Sequence, residues 1–217
     1  EAARWLARTG RFEETLEGHV LAWVHLWDRV DIYLGGDGEG LRIVRLHLLQ
    51  MLQTLSPNTA ELDVGVPARG LHGEAYRGHI FWDELFVLPV LNLRLPGLTR
   101  SLLRYRYRRL DEARRAAREA GHTGAMFPWQ SGSDGREESQ QVHLNPKSGR
   151  WNPDASWRQH HIGVAVANNV WQYYQVTGDL GFLADYGAEM LVEIARFFAD
   201  IATYDHARDR YVIRGVI

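Results

Sequence analysis

Apolar side chains in the first segment fall at Phe12, Leu16, Val20, Trp23, Trp27, Val30 and Leu34, at spacings of 4, 4, 3, 4, 3 and 4. That is the repeat of a helix with one apolar stripe, and Gly35-Gly36-Asp37-Gly38 ends it. A second helix carries Leu41, Val44, Leu48, Met51, Leu52 and Leu55 on one side and stops at Ser56-Pro57-Asn58. Residues 80–93 are apolar nearly all round, which predicts a third helix buried on both sides and kinked or shortened by Pro89. Residues 98–120 are rich in Arg, Glu and Ala and read as a fourth, solvated outer helix closed by Gly121. A fifth helix over 159–177 ends at Gly178, and Asp179 caps a sixth over 180–202. One short strand follows at 211–213. With no long alternating run to compete, the class is all-α.

The connections alternate in length. Helices one to two, three to four and five to six are joined by short turns, whereas loops of about 23 and about 38 residues separate the pairs. With antiparallel neighbours, every long loop lies on one face, and the odd-numbered helices start there. Helical hairpins with elaborated loops at one end build a toroid, so the six helices predict about half of an (α/α)6 ring. Residues 1–217 then read as a partial barrel domain whose parent chain is expected to extend at both ends. Half a ring leaves apolar helix surface open, which favours self-association or association with the rest of a longer polypeptide.

Composition narrows the function classes. A net charge of −2 with both signs interspersed speaks against a polyanion or an anionic membrane as partner. The longest apolar runs are far short of the roughly 20 residues that span a bilayer. The absence of cysteine removes thiolate chemistry and fits a reducing, cytoplasmic location. The run Arg104-Tyr105-Arg106-Tyr107-Arg108-Arg109 interleaves aromatics with charge as a nucleic-acid patch would. Asp111, Glu112 and Glu119 lie close by, and the run reads as the solvated face of the fourth helix.

The chemistry sits in the long loops. The first passes through Pro67-Ala68-Arg69-Gly70-Leu71-His72-Gly73-Glu74 into Phe81-Trp82-Asp83-Glu84. An indole beside fixed carboxylates suits a sugar, whose C–H face stacks on the ring while the carboxylates accept its hydroxyl hydrogens. Helix capping accounts for much of the same pattern. The second loop reads Phe127-Pro128-Trp129-Gln130-Ser131-Gly132-Ser133-Asp134-Gly135-Arg136-Glu137-Glu138, where small residues permit close approach to a ligand. Gln159, His160 and His161 open the fifth helix on the same face. Adjacent histidines on a helix point about 100° apart, so they do not form a metal pair, and no metal site is expected. Neither a nucleophile elbow nor a phosphate loop occurs. Asp83, Glu84, Asp134, Glu137 and Glu138 remain, and carboxylates paired across a cleft suit glycosidic bond chemistry.

These segments, with Val170-Trp171-Gln172-Tyr173-Tyr174 and Thr177-Gly178-Asp179, resemble glycoside hydrolase family 65, the family of maltose, trehalose and kojibiose phosphorylases. The resemblance implies an inverting reaction in which an acid protonates the glycosidic oxygen while inorganic phosphate, the co-substrate, attacks from the opposite face. The product is β-glucose 1-phosphate, and no cofactor is required. It further implies that Arg69, Trp82, Asp83, Trp129 and Gln130 hold the glucosyl unit, with His160 a further candidate. Some members carry Glu at the position of Gln130, and His72 replaces a commoner Thr, so the acceptor sugar stays open. The family's catalytic Glu follows a hairpin resembling 211–216, so it is expected just beyond Ile217, and the isolated chain is expected to be inactive. A hydrolase of the acid trehalase type on the same barrel, and a non-catalytic helical module binding sugar or protein, are the alternatives.

Overall fold

The computed structural model describes residues 3–4, 8–36, 38–70, 73 and 75–217. Asp37 in the first helix stop, and Leu71, His72 and Glu74 in the Gly-rich loop, lie outside the described residues. The chain divides into two compact units, Glu1–Leu49 and Gln50–Ile217.

The first unit contains α1 (Phe12–Val30) and most of α2 (Gly38–Thr54). Glu13 and Glu14 open α1 and Arg29 closes it, each charge opposing the helix dipole. Asp31 terminates it. Its amide donates to the Trp27 carbonyl at 2.8 Å, and its carboxylate accepts from the Ile32 amide and from Arg45 on α2. The apolar stripe forms as spaced, but of its members Val30 alone is fully buried, and Phe12, Leu16 and Val20 stay exposed. Periodicity fixes which face is apolar without supplying a partner for it.

The core lies in the second unit. Here α3 (Glu84–Arg94) packs chiefly on α6 (His161–Thr177), and α4 (Pro96–Tyr107) follows α3 after the single residue Leu95. The third helix begins at Glu84 rather than at 80, because residues 80–83 enter bridges and contacts with the loops. Pro89 lies within it; Pro96 ends it, since a following proline ring drives Leu95 to φ −140° and ψ 56°, outside the helical region. Leu88 and Leu91 are buried, whereas Phe86 and Leu93 are 67% and 72% exposed. Among the described residues, then, α3 is buried on one side, not two.

The expected fourth helix is in fact two, α4 and α5 (Leu110–Glu119). Arg109 breaks it. Its guanidinium donates to the Tyr105 carbonyl at 3.0 Å, the acceptor a continuous helix would give to the Arg109 amide. That amide bonds Arg106 instead, at 3.1 Å. The same guanidinium reaches both Asp63 oxygens, at 2.9 and 3.1 Å, and the Ser133 carbonyl. Tyr105, Arg106 and Arg109 are therefore buried. Arg106 and Arg109 are thus internal tethers, while Arg108 keeps the exposed position expected of a solvated face.

Gly178, at φ +65°, closes α6 as the sequence requires. Asp179 then caps a helical turn, Leu180–Phe182, by accepting the Phe182 amide at 2.8 Å. A π-helical turn, Leu183–Gly187, leads into α7 (Ala188–Ile201). Two antiparallel hairpins complete the unit: β1 (Val142–Asn145) with β2 (Arg150–Pro153), and β3 (Ala202–Asp205) with β4 (Arg210–Ile213). Of these strands the sequence pattern predicts only the last, as residues 211–213. The class is all-α. No helix of the described residues is long and apolar enough to cross a membrane.

Candidate functional site

The two long loops meet where α3 and α6 begin. Ile80 and Ser131 exchange backbone hydrogen bonds at 2.9 and 3.1 Å, an antiparallel bridge. Further bridges join Pro67 to Ile80 and Ser131 to Glu137. In the register set by Ile80 and Ser131, two residues onward on one chain faces two residues back on the other, so Trp82 falls opposite Trp129. The indoles stack, with centroids 6.3 Å apart and planes inclined 29°. Trp82 remains 37% exposed.

Glu137 fixes the second half of this arrangement. Its carboxylate accepts the backbone amides of Trp129, Gln130 and Ser139 at 2.7, 3.1 and 3.0 Å. Gln130 is buried, and its amide nitrogen lies 3.1 Å from His79 Nδ1, which is also 2.8 Å from the Tyr76 carbonyl. That nitrogen serves one neighbour at a time: protonated it donates to the carbonyl, and bare it accepts from the amide.

Asp83 occupies the N-cap position of α3 but makes no side-chain cap bond. Capping therefore does not account for this carboxylate. Half-buried, it has its pKa raised above 3.8 by burial, while its own amide and Arg69 pull the other way. Arg69 is exposed and acts on Asp83 through its charge. Three of the other four carboxylates are engaged elsewhere. Glu84 is buried against Arg106, Asp134 pairs with Arg136 at 2.6 Å, and Glu137 holds three amides. The expected pairing of carboxylates across the cleft is not formed by these groups. Gly135, expected to make room for a ligand, instead faces the Arg109 stem, from which a Cβ would lie 2.8 Å.

The neighbouring histidines diverge. The His161 ring lies 5.1 Å from that of Trp129 and 6.3 Å from that of Trp82. His160 turns its ring edge to Phe197 at 5.5 Å, and its pKa is lowered from 6.5 chiefly by burial. The structure thus gathers Arg69, Trp82, Asp83, Trp129 and Gln130 around the loop bridge, adds His161, and sets His160 against α7.

On the other side of Trp129 lies a cleft of about 290 Å³, walled by Tyr76, Phe81 and Trp129 with Gln130, Gln140 and Asp154 at its polar rim. A larger cavity of about 540 Å³ is lined by Leu55, Val64, Ile80 and Leu102. There the Tyr105 hydroxyl is bonded to Ser131 and Gly132, and Asp63 to Arg108 and Arg109. The rim of the smaller cleft is bonded too, Asp154 accepting from Gln140 and Ser156, but that cleft has Trp129 in its wall.

Of the two histidines that the sequence puts on this face, the resemblance favours His160, whereas His161 is the one beside the indoles. Glu137 as an anchor and the burial of Arg106 were missed, and Glu137 left no signal. Arg106 left one: Leu102, Arg106, Leu110, Ala113 and Ala117 recur at helical spacing, placing an arginine on the apolar stripe.

The same fold occurs in a solved structure of a protein described as a kojibiose phosphorylase from the human microbiome. The match has a TM-score of 0.77 at 26% identity and covers 96% of this chain and 26% of that one. This places the helical hairpins among those of an (α/α) toroid. Residues 45–217 match the glycosyl hydrolase family 65 central catalytic domain, and the chain belongs to that family. An uncharacterised glycosyl hydrolase of Mycobacterium tuberculosis is 66% identical over 216 residues, all of this chain and 16% of the relative. The kojibiose phosphorylase of Halothermothrix orenii is 41% identical, covering 97% of this chain and 27% of the relative. The trehalose 6-phosphate phosphorylase of Lactococcus lactis is 42% identical, covering 93% and 26%. The chain thus spans about a quarter or less of the length of these relatives.

Proposed function

We propose that this chain supplies the donor-sugar site of an inverting phosphorylase that cleaves an α-linked glucosyl disaccharide with inorganic phosphate. Trp82 stacked on Trp129, with an uncapped, half-buried Asp83 beside them, is the observation that carries this reading. The exposed indole surface of Trp82 offers a platform for the C–H face of a glucosyl ring. Asp83 and Arg69 offer an acceptor and a donor for its hydroxyls, whereas Gln130, buried beside His79, lines the neighbouring cleft. The cleft beyond Trp129 suits the second sugar, since aromatic walls and a polar rim recur there. In the reaction an acid group protonates the glycosidic oxygen as a phosphate oxygen attacks the anomeric carbon from the opposite face. The carbon–oxygen bond breaks toward the acceptor, leaving β-glucose 1-phosphate and a free acceptor. Phosphate is already an anion, so no general base and no organic cofactor enter. None of the residues named here is assigned the acid's role; the group is expected elsewhere in the polypeptide.

The relatives' names support phosphorolysis, since they share an α-glucosyl unit in kojibiose, trehalose and glucosylglycerol and differ in the acceptor. The M. tuberculosis relative is called a glycosyl hydrolase, which keeps hydrolysis on the same scaffold as a second reading. Two measurements test the proposal. Titrating this chain with glucose should quench tryptophan emission, and Trp82→Phe and Trp129→Phe should each reduce the change. An unchanged spectrum sinks the donor site. In a polypeptide carrying the whole catalytic domain, release of glucose 1-phosphate from kojibiose, trehalose or maltose should require phosphate, whereas turnover without phosphate decides for hydrolysis.

A further inference from the structure

Arg106, 1% exposed on α4, uses two arms of its guanidinium in different directions. Nε donates to the Glu84 carboxylate at 3.0 Å, and Nη2 donates to the Phe81 carbonyl at 2.8 Å. These acceptors stand immediately before and after Trp82-Asp83. The second bond also bears on where α3 begins. A helix from residue 80 would give the Phe81 carbonyl to the Leu85 amide. With that carbonyl turned to Arg106, the Leu85 amide bonds Trp82 at 2.9 Å and regular helix starts at Glu84. Residues 80–83 stay outside the helix, and Trp82 can lie opposite Trp129.

Energy alone gives little reason for such a pair. Both side chains are almost wholly removed from water, and one oxygen of Glu84 and one nitrogen of Arg106 have no partner among the described residues. Burial pushes the Glu84 pKa up, while Arg106 and the Val66 amide act to hold it ionised. Replacing a buried ion pair by well-packed apolar residues is often neutral or stabilising. A rigid fork, in contrast, fixes two acceptors at a set separation, which a single ammonium or an apolar chain does not do.

We propose that Arg106 and Glu84 are a positioning pair, holding the backbone on both sides of Trp82-Asp83 so that indole and carboxylate face the bound sugar. Its importance for sugar rests on the donor-site reading above; its control of Trp82 does not. Stacked indoles couple excitonically, so circular dichroism reads their geometry without ligand. Trp23 and Trp27, 6.5 Å apart, add a couplet of their own, and the signal of interest is the difference between a protein and its Trp82→Phe counterpart.

The test pairs Arg106→Met with Glu84→Leu in one chain. The expected result is cooperative unfolding near the parent midpoint, loss of the Trp82-dependent couplet, and glucose affinity lowered about tenfold or more. A folded double variant that keeps both couplet and affinity overturns the proposal. Should that variant fail to fold, Arg106→Lys takes its place, keeping the charge opposite Glu84 without spanning both acceptors. A weakened couplet at parental helicity supports the proposal, and an unchanged one overturns it. If the parent binds no glucose yet the variants lose the couplet, the donor-site reading fails and the positioning pair stands.

Discussion

At the foot of α3, Asp83 has a carboxylate that does not cap the helix and, among the described residues, pairs with no cation at bonding distance. Burial raises its pKa above 3.8, so ionising it costs the folded state something. The stability it contributes is fully present below the unfolded value and is lost as pH rises through the folded one. A sugar that donates hydroxyls to the ionised group works the other way, because it binds that form. Glucose affinity should therefore fall on acidification, with the fall centred above the ordinary aspartate value of 3.8. Asp83→Asn should lower the affinity by about tenfold, the scale of a lost charge-assisted hydrogen bond, and flatten the pH profile. Fluorescence titration from neutral pH to about 4 checks both; an asparagine variant with the parental profile would sink the assignment.

Between elements, close approach is decided by backbone rather than by stripe. Gly124, at φ +78°, brings the loop onto α7, where the Ala125 amide donates to the Glu193 carbonyl at 2.9 Å. A Cβ at 124 would lie 2.3 Å from the Phe197 nitrogen and 2.4 Å from the Glu193 oxygen. Both are backbone atoms, which no rotamer change can move. Gly149 has a similar φ, +66°, in the turn of β1–β2, with nothing within 4 Å of the added carbon. Gly149→Ala should cost about 1 kcal/mol, the strain of a left-handed residue alone. Gly124→Ala should cost about 3 kcal/mol or more, because packed helix must shift as well. Urea unfolding of the two variants separates these contributions, and equal losses would show that the loop yields freely.

Across the whole molecule, burial is unequal. α6 buries Ile162, Ala165, Val166, Val170 and Tyr173, whereas α1 buries Val30 alone. Opening free energy follows buried contact. Backbone amides of α1 should therefore exchange with deuterium well before those of α6, which should exchange only on global unfolding of the second unit. Hydrogen exchange with peptide-level mass spectrometry reads this directly. Matching protection in the two helices would mean that the units unfold as one.

The sequence by itself determined the helical class, the positions of most helices to within a few residues, and the two long loops that carry Trp82-Asp83 and Trp129-Gln130. Each is a local property: periodicity, a glycine at a helix end, or a proline after one is written in neighbouring residues. Even there a tertiary bond intervened, since Arg109 divides the fourth helix by taking the Tyr105 carbonyl and reaching Asp63, 46 residues away. The register that sets Trp82 against Trp129 was decided only in the folded chain. So were the choice of His161 over its neighbour, the tie from Glu137 to three amides, and the burial of Arg106. The physical reason is that each depends on groups separated in the chain that meet only once the helices have packed. For His161 these are rings; for the others they are backbone groups left without a helical partner, which a partner from anywhere in the chain can meet.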